Sequence, residues 1–140
     1  MKYFILIFIF LISCSDTSSP EDVAEAQILE ILDTIIACFP FDLEGIMQNY
    51  HPDFLHNGDD YDFEEIRWDI RINDYNEIDF TDIDIELDGD FATVSFTMTF
   101  YDNEGNSFVS QEPSEENGDI SDFYRDFDGW KICGKDFLEP

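Results

Sequence analysis

Apolar side chains recur at three- and four-residue intervals after Pro20: Val23, Ala24, Ile28, Ile31, Leu32, Ile35 and Phe39. This spacing predicts a helix with one buried stripe, and Glu21, Glu25, Glu30 and Asp33 fill its other face. Ser19 suits the N-cap, Pro20 the first helical position and Asp22 the third, where a negative charge meets the positive end of the helix dipole. Phe39-Pro40 ends the run. A shorter helix fits Asp42 to Tyr50, with Asp42 as cap, Leu43, Ile46, Met47 and Tyr50 inward, and His51-Pro52 closing it. A third fits Asp62 to about Ile72. Asp62 and Glu65 give it a capping-box-like start, and Phe63, Ile66 and Ile70 share a face.

The period then drops to two. Ile83, Ile85 and Leu87 alternate with Asp82, Asp84, Glu86 and Asp88, the pattern of a strand with one wet face. Asp88-Gly89 signals a hairpin turn. The next strand sets Ala92, Val94, Phe96, Met98 and Phe100 on one side and Thr93, Ser95, Thr97 and Thr99 on the other. Asn103 to Asn106 is a second turn, a strand covers Ser107 to Gln111, and Pro113 to Asp119 is an acidic loop. Phe123 to Phe127 and Trp130 to Phe137 form a last hairpin around Asp128-Gly129. Three helices followed by a run of antiparallel strands predict an α+β domain with the helices on one face of a sheet.

Composition sharpens this picture. The chain has 140 residues, enough for one domain, and 16% of them are aromatic, so it buries a core despite a formal charge of -28. A surface so acidic repels phosphate backbones and anionic lipid headgroups, which excludes nucleic-acid binding and direct adhesion to such a membrane. The partners it leaves are cations or a basic protein, and the charge also keeps a protein soluble.

The N-terminus has its own pattern. Lys2 precedes the apolar run Tyr3 to Ile12, which is shorter than the roughly 20 residues needed to span a bilayer. Leu11-Ile12-Ser13-Cys14 follows and resembles the lipobox of bacterial lipoproteins. That resemblance implies a removable signal over 1–13, lipid on Cys14, and a polar tether over 14–19 before a domain over 20–140. It places the chain in the bacterial cell envelope, held to a membrane by lipid. Ser15 after the cysteine matches an outer-membrane sorting pattern.

The domain resembles the nuclear transport factor 2-like (NTF2-like, SnoaL-like) superfamily. The residues that carry this are the long first helix, Leu43 to Met47 leading into Tyr50-His51-Pro52-Asp53-Phe54, the hairpin Asp88 to Val94, and the ending Tyr124 to Ile132. The resemblance implies three helices on a strongly curved antiparallel sheet, with a cone-shaped pocket. It implies Tyr50, Tyr61 and Trp68 as pocket groups and Asp53, His56 or Asp59 as candidate bases. Aligning on Tyr50 and Asp53 puts the family's base position near Gly58-Asp59, where glycine has no side chain to act. No second member of a catalytic pair is recognisable, so a non-catalytic binding role for a small apolar ligand or a protein partner leads. A SnoaL-like isomerase or hydrolase, or an acidic inhibitor of a basic toxin, are the alternatives. No cofactor is implied. Family dimers pack sheet faces, which makes the Thr/Ser face at 93–99 a candidate homodimer surface.

Two features remain. Outside the cytoplasm Cys38 and Cys133 either pair as a disulfide or stay as two buried thiols. His51, Asp53, His56 and Asp59 match no defined metal-ligand spacing, and Asp84, Glu86, Asp88 and Gly89 lack the closing glutamate of a calcium loop, since Ser95 stands there. No metal site is expected.

Overall fold

The computed structural model describes residues 18–114 and 118–138. The leader, Cys14 and most of the tether lie outside the described residues. Helix α1 (Pro20–Cys38) opens with a reciprocal cap: Asp22 N donates to Ser19 Oγ at 3.1 Å, and Ser19 N donates to the Asp22 carboxylate at 2.8 Å. Its stripe of Ala24, Ile28, Leu32 and Ile35 is buried. Helix α2 (Leu43–Met47) is shorter than its apolar pattern predicts; Asp42 caps it by accepting from Gly45 N at 2.8 Å. Gly45 sits where α1 meets α2, and a Cβ there would lie 2.6 Å from Cys38 Sγ.

A small hairpin then appears that apolar periodicity did not predict. Strands β1 (Leu55–His56) and β2 (Asp59–Asp60) pair around Asn57-Gly58, whose φ values are both positive. This turn delivers Asp60, not Asp62, as the cap of α3 (Tyr61–Asp74), accepting from Phe63 N at 3.1 Å. The helix therefore begins earlier than its sequence signal, and its buried face is a different one. Glu64 and Trp68 are 0% exposed, whereas Phe63, Ile66 and Ile70 are 50%, 57% and 55% exposed. The apolar stripe of α3 faces outward.

The main sheet contains β3 (Glu77–Asp88), β4 (Phe91–Tyr101), β5 (Ser107–Glu112), β6 (Asp122–Asp126) and β7 (Gly129–Ile132), all antiparallel. Strand β4 organises it. Along one edge it pairs with β3; along the other its second half pairs with β5 and its first residues with β6. In β3 the buried positions change parity, from Ile78 and Phe80 to the half-buried Ile85 and Leu87. The switch occurs at a bulge between Thr81 and Asp84, where Asp82 has φ 54°. A bulge adds one residue to a strand and bends it, which keeps both halves facing the helices. Strand β7 stops at Ile132, short of the expected Phe137, because Gly134 turns with φ 77° and the chain pairs with Leu55 instead: Leu55 N donates to Cys133 O and Asp136 N to Leu55 O.

The core lies between the helices and the sheet. Phe39 packs against Trp68 and Phe100 with ring centroids 6.2 and 5.8 Å apart, and Tyr50 packs on Phe54 at 5.3 Å. The α+β architecture expected from the element order is therefore present, with helices packed on an antiparallel sheet.

The orientation of α3 makes a testable difference. Trp68→Ala is expected to destabilise the fold by about 3–5 kcal/mol, the usual cost of emptying a large aromatic site. Ile70→Ser, although it removes an apolar residue, is expected to change stability by less than about 0.5 kcal/mol. Urea denaturation of both variants checks this; a large loss for Ile70→Ser would mean that α3 is rotated.

Candidate ligand site

Residues 64, 67, 68 and 71 fall on one side of an α-helix, because side chains three and four apart lie above one another. In α3 these are Glu64, Arg67, Trp68 and Arg71, so the helix turns charge toward the core. Arg71 Nη1 donates to Glu64 Oε1 at 3.2 Å and Arg71 Nη2 donates to Asp119 Oδ2 at 2.7 Å. Asp119 comes from the segment before β6 and is fully buried. Tyr50 OH donates to the same Glu64 oxygen at 3.3 Å and accepts from Trp68 Nε1 at 2.7 Å. Arg67 Nη1 lies 3.2 Å from Glu64 Oε2 and 3.6 Å from Asp119 Oδ2, while its Nη2 pairs with Asp59.

The charges of this cluster follow from its burial. Burial raises the Glu64 carboxyl to about 9, and a hydrogen bond to Asp119 together with that neighbour's charge push it the same way. Burial also opposes ionisation of Asp119, but Arg71, the hydrogen bond to Glu64 and Arg67 together outweigh it and hold that carboxyl well below the usual range. Burial disfavours the Arg71 cation, which Asp119 and Glu64 more than offset. At neutral pH Glu64 is therefore a neutral acid that donates to a charged Asp119. Among the described residues Glu64 Oε2 and Asp119 Oδ1 are buried and accept no hydrogen bond. Arg67 and Arg71 are then balanced by Asp59 and Asp119. Tyr50, raised by burial, stays a phenol.

Outside this cluster opens a cleft of about 240 Å³. Tyr75, Met98, Phe100 and Phe108 give it apolar walls, and Arg67, Arg71 and Ser110 give it polar groups. The side chains of Arg67 and Arg71 are 28% and 13% exposed. Arg71 lies 4.6 Å over Trp68 and 5.9 Å over Phe100, so aromatic faces fix its plane. A guanidinium has five N–H donors and no acceptor. Arg71 gives two hydrogen bonds and Arg67 one among the described residues, and both side chains line the cleft. The arrangement can hold an apolar body and donate to an oxygen at its end. Glu64 cannot pass a proton to the cleft, because its carboxyl is fully buried behind Arg67 and Arg71 and a guanidinium does not relay protons.

The residues singled out from sequence lie in different surroundings. Tyr50 and Trp68 are buried in the network behind the arginines, and Tyr61 is half-buried, its hydroxyl donating to Met47 O at 3.2 Å to tie α3 to α2. These three are not among the residues lining the cleft. Asp59 pairs with Arg67 and joins the cluster. Asp53 is exposed beside a second, larger cleft of about 460 Å³ with His51, Asp126 and Lys131, and its backbone N donates to His51 Nδ1. His56 is buried, with Nδ1 accepting from Lys135 N at 3.4 Å, and burial lowers its pKa. The three candidate bases thus do not meet at one reacting centre. Cys38 and Cys133 are free thiols: Cys38 Sγ lies 3.9 Å from Asp42 Oδ2, and burial pushes Cys133 up to about 12. Among the described residues no three His, Cys, Asp or Glu side chains are grouped to hold a metal ion. Glu64, Arg67, Arg71 and Asp119 were not singled out from sequence. The available signal was two arginines four apart on the Trp68 side of a helix, in a chain with six Lys and Arg.

No family model matches this chain, and no curated protein does. Solved structures do. An NTF2-like protein of unknown function from Pseudomonas putida KT2440 superposes with a TM-score of 0.61 at 11% identity, over 80% of this chain and 83% of that one. A protein of unknown function with a cystatin-like fold from Nostoc punctiforme gives 0.61 at 12% identity, over 83% and 89%. A protein of the NTF2-like family from Streptomyces avermitilis, provisionally assigned as a dehydratase, gives 0.59 at 16% identity, over 83% and 94%. At such identities the likeness concerns the fold: the domain has an NTF2-like, cystatin-like architecture.

The neutral Glu64 has a pH signature. Its folded pKa of about 9 lies above the ordinary 4.5, so between these values the native state keeps a proton that the unfolded chain releases. Its contribution to stability is complete below 4.5 and declines as pH rises toward 9. Asp119, held low, acts oppositely, and its contribution is lost on acidification. Urea midpoints measured from pH 5 to 9 are expected to fall less steeply for Glu64→Gln than for the wild type. Equal slopes would mean that Glu64 is ionised in the native protein.

Proposed function

We propose that this NTF2-like chain is an envelope lipoprotein, anchored by lipid on Cys14, whose domain binds a small apolar molecule through the cleft at Arg67 and Arg71. The observation that carries the binding site is the placing of two arginines, in so acidic a chain, against the aromatic and thioether walls of one cleft. Arginine presents donors only, so the ligand's polar end is an oxygen acceptor, a carboxylate or a carbonyl. A carboxylate would share Arg67 with Asp59, the more exposed of the two ionised carboxylates, while Asp119 stays on Arg71.

Binding is favoured over turnover by geometry. General acid–base work needs the acid within hydrogen-bond reach of the reacting atom. Glu64 is enclosed, and Asp53, His56 and Asp59 are dispersed. The fold hosts many functions, so it adds nothing specific here.

The address rests on the lipobox-like Leu11 to Cys14 and the leader before it. Five residues, Ser15 to Ser19, precede α1, and fully extended they reach at most about 18 Å. Such a tether keeps the domain beside a membrane. Its acidic surface does not adhere to anionic headgroups, which leaves the lipid as the attachment.

Two measurements test these readings. Calorimetry with small aromatic and aliphatic monocarboxylates and ketones is expected to show binding that the matching hydrocarbons lack, weakened at least tenfold by Arg67→Met. Binding of the hydrocarbons as strong as that of the acceptors would remove the arginines from the site. Mass spectrometry of the native N-terminus is expected to find an acylated Cys14, with Cys14→Ala protein released from membranes. An unmodified N-terminus on wild-type protein would end the lipoprotein reading.

A further inference from the structure

We propose that the outward face of α3 is a docking surface for a cationic amphipathic protein segment. Such a segment would set an apolar row on Phe63, Ile66 and Ile70 and lysines or arginines on the acids beside them.

The inference starts from an inverted helix. The inner side of α3 already supplies what the domain needs: Trp68 to the core, and Glu64 and Arg71 to the buried network. Folding gives no reason for the outer side to be apolar, yet Phe63, Ile66 and Ile70 all stand about half exposed. At 100° per residue they fall within a narrow arc and run about 10 Å along the axis. Scattered exposed apolar residues are ordinary, and Phe41, Phe127 and Leu138 are of that kind. Phe108 and Val109 are adjacent on β5, so they point to opposite faces of the sheet and form no common patch. The α3 stripe is an aligned row, which is the form in which a helix meets a partner.

Charge selects the occupant. The same helical geometry puts Asp62, Glu65 and Asp69, all exposed, along one flank of the row. On the other side the Arg67 guanidinium lies 5.7 Å over the Phe63 ring and separates the row from the ligand cleft. A second copy would bring an equal acidic flank and a charge of -28 against this one, and anionic lipid would also be repelled. A partner with apolar centre and basic rim satisfies both parts of the surface. The proposal does not depend on the small-molecule reading, since Phe63, Ile66 and Ile70 do not line the cleft.

The test uses the full chain in phosphatidylcholine nanodiscs and a fluorescent eighteen-residue Lys/Leu peptide with leucines at helical spacing. The controls are empty discs and a scrambled peptide of the same composition. Anisotropy is expected to show salt-sensitive binding of the patterned peptide. The Phe63→Ser/Ile66→Ser/Ile70→Ser variant should weaken it at least tenfold, and Asp62→Asn/Glu65→Gln/Asp69→Asn should weaken it and flatten its salt dependence. The serine variant should bind the scrambled peptide as the wild type does. Circular dichroism verifies folding, and Ile66→Ser alone, with a several-fold loss expected, replaces the triple variant should it unfold. Patterned-peptide binding unchanged by the serine substitutions would overturn the proposal, because charge alone would then explain attraction. Native masses with two chains per disc for the wild type and one for the serine variant would also overturn it, by making a second copy the occupant.

Discussion

The pairing of Arg71 with Asp119 sets the terms for the rest of this domain. A guanidinium and a carboxylate taken out of water must satisfy each other, since a buried charge without a partner costs several kcal/mol. Asp119 reaches Arg71 from a segment far along the chain, and Glu64 completes the contact only by keeping its proton. Once α3 directs Arg71 inward, its other side chains have no freedom. Trp68 enters the core, Glu64 goes beneath the arginines, and Phe63, Ile66 and Ile70 are turned out to water.

A cluster of this kind is not explained by stability. Well-packed apolar side chains of similar volume commonly serve as well as a buried ion pair. The helix carries apolar side chains as well, but Phe63, Ile66 and Ile70 are turned outward. The sequence instead holds arginine donors at the inner side of a cleft with aromatic walls. The cost is carried by a network in which Tyr50, Trp68, Glu64, Arg71 and Asp119 each bond to another member. This cooperation fixes the position of the Arg71 guanidinium.

The fold and the site have different sources. The NTF2-like architecture arises from packing rules that many sequences satisfy, as identities near 12% at TM-scores near 0.6 illustrate. The arginine cleft and the apolar row on α3 belong to particular side chains of this chain. Function is therefore argued from these groups and not from the architecture that carries them.

Local chemistry was legible in the amino-acid order. The Ser19 cap, the Asp88-Gly89 hairpin and the alternation of β4 each depend on neighbours a few residues apart, and each is present as read; the α1 stripe is present except for Val23, which is exposed. The bulge in β3 left a trace, a change of parity between Phe80 and Ile83 that periodic counting passes over. The face of α3 left a misleading one. Hydrophobic periodicity assumes that apolar residues go inside, and that rule yields when a distant carboxylate can neutralise an inward arginine. Asp119 stands 48 residues beyond Arg71, after three of the five strands of the main sheet, and nothing in the spacing of either records the other. Sequence by itself determined most of the elements, the caps of α1 and α2, the β3–β4 turn and the net charge. Tertiary structure alone decided which side of α3 meets the core, because that choice rests on a long-range ion pair and not on the helix's own pattern.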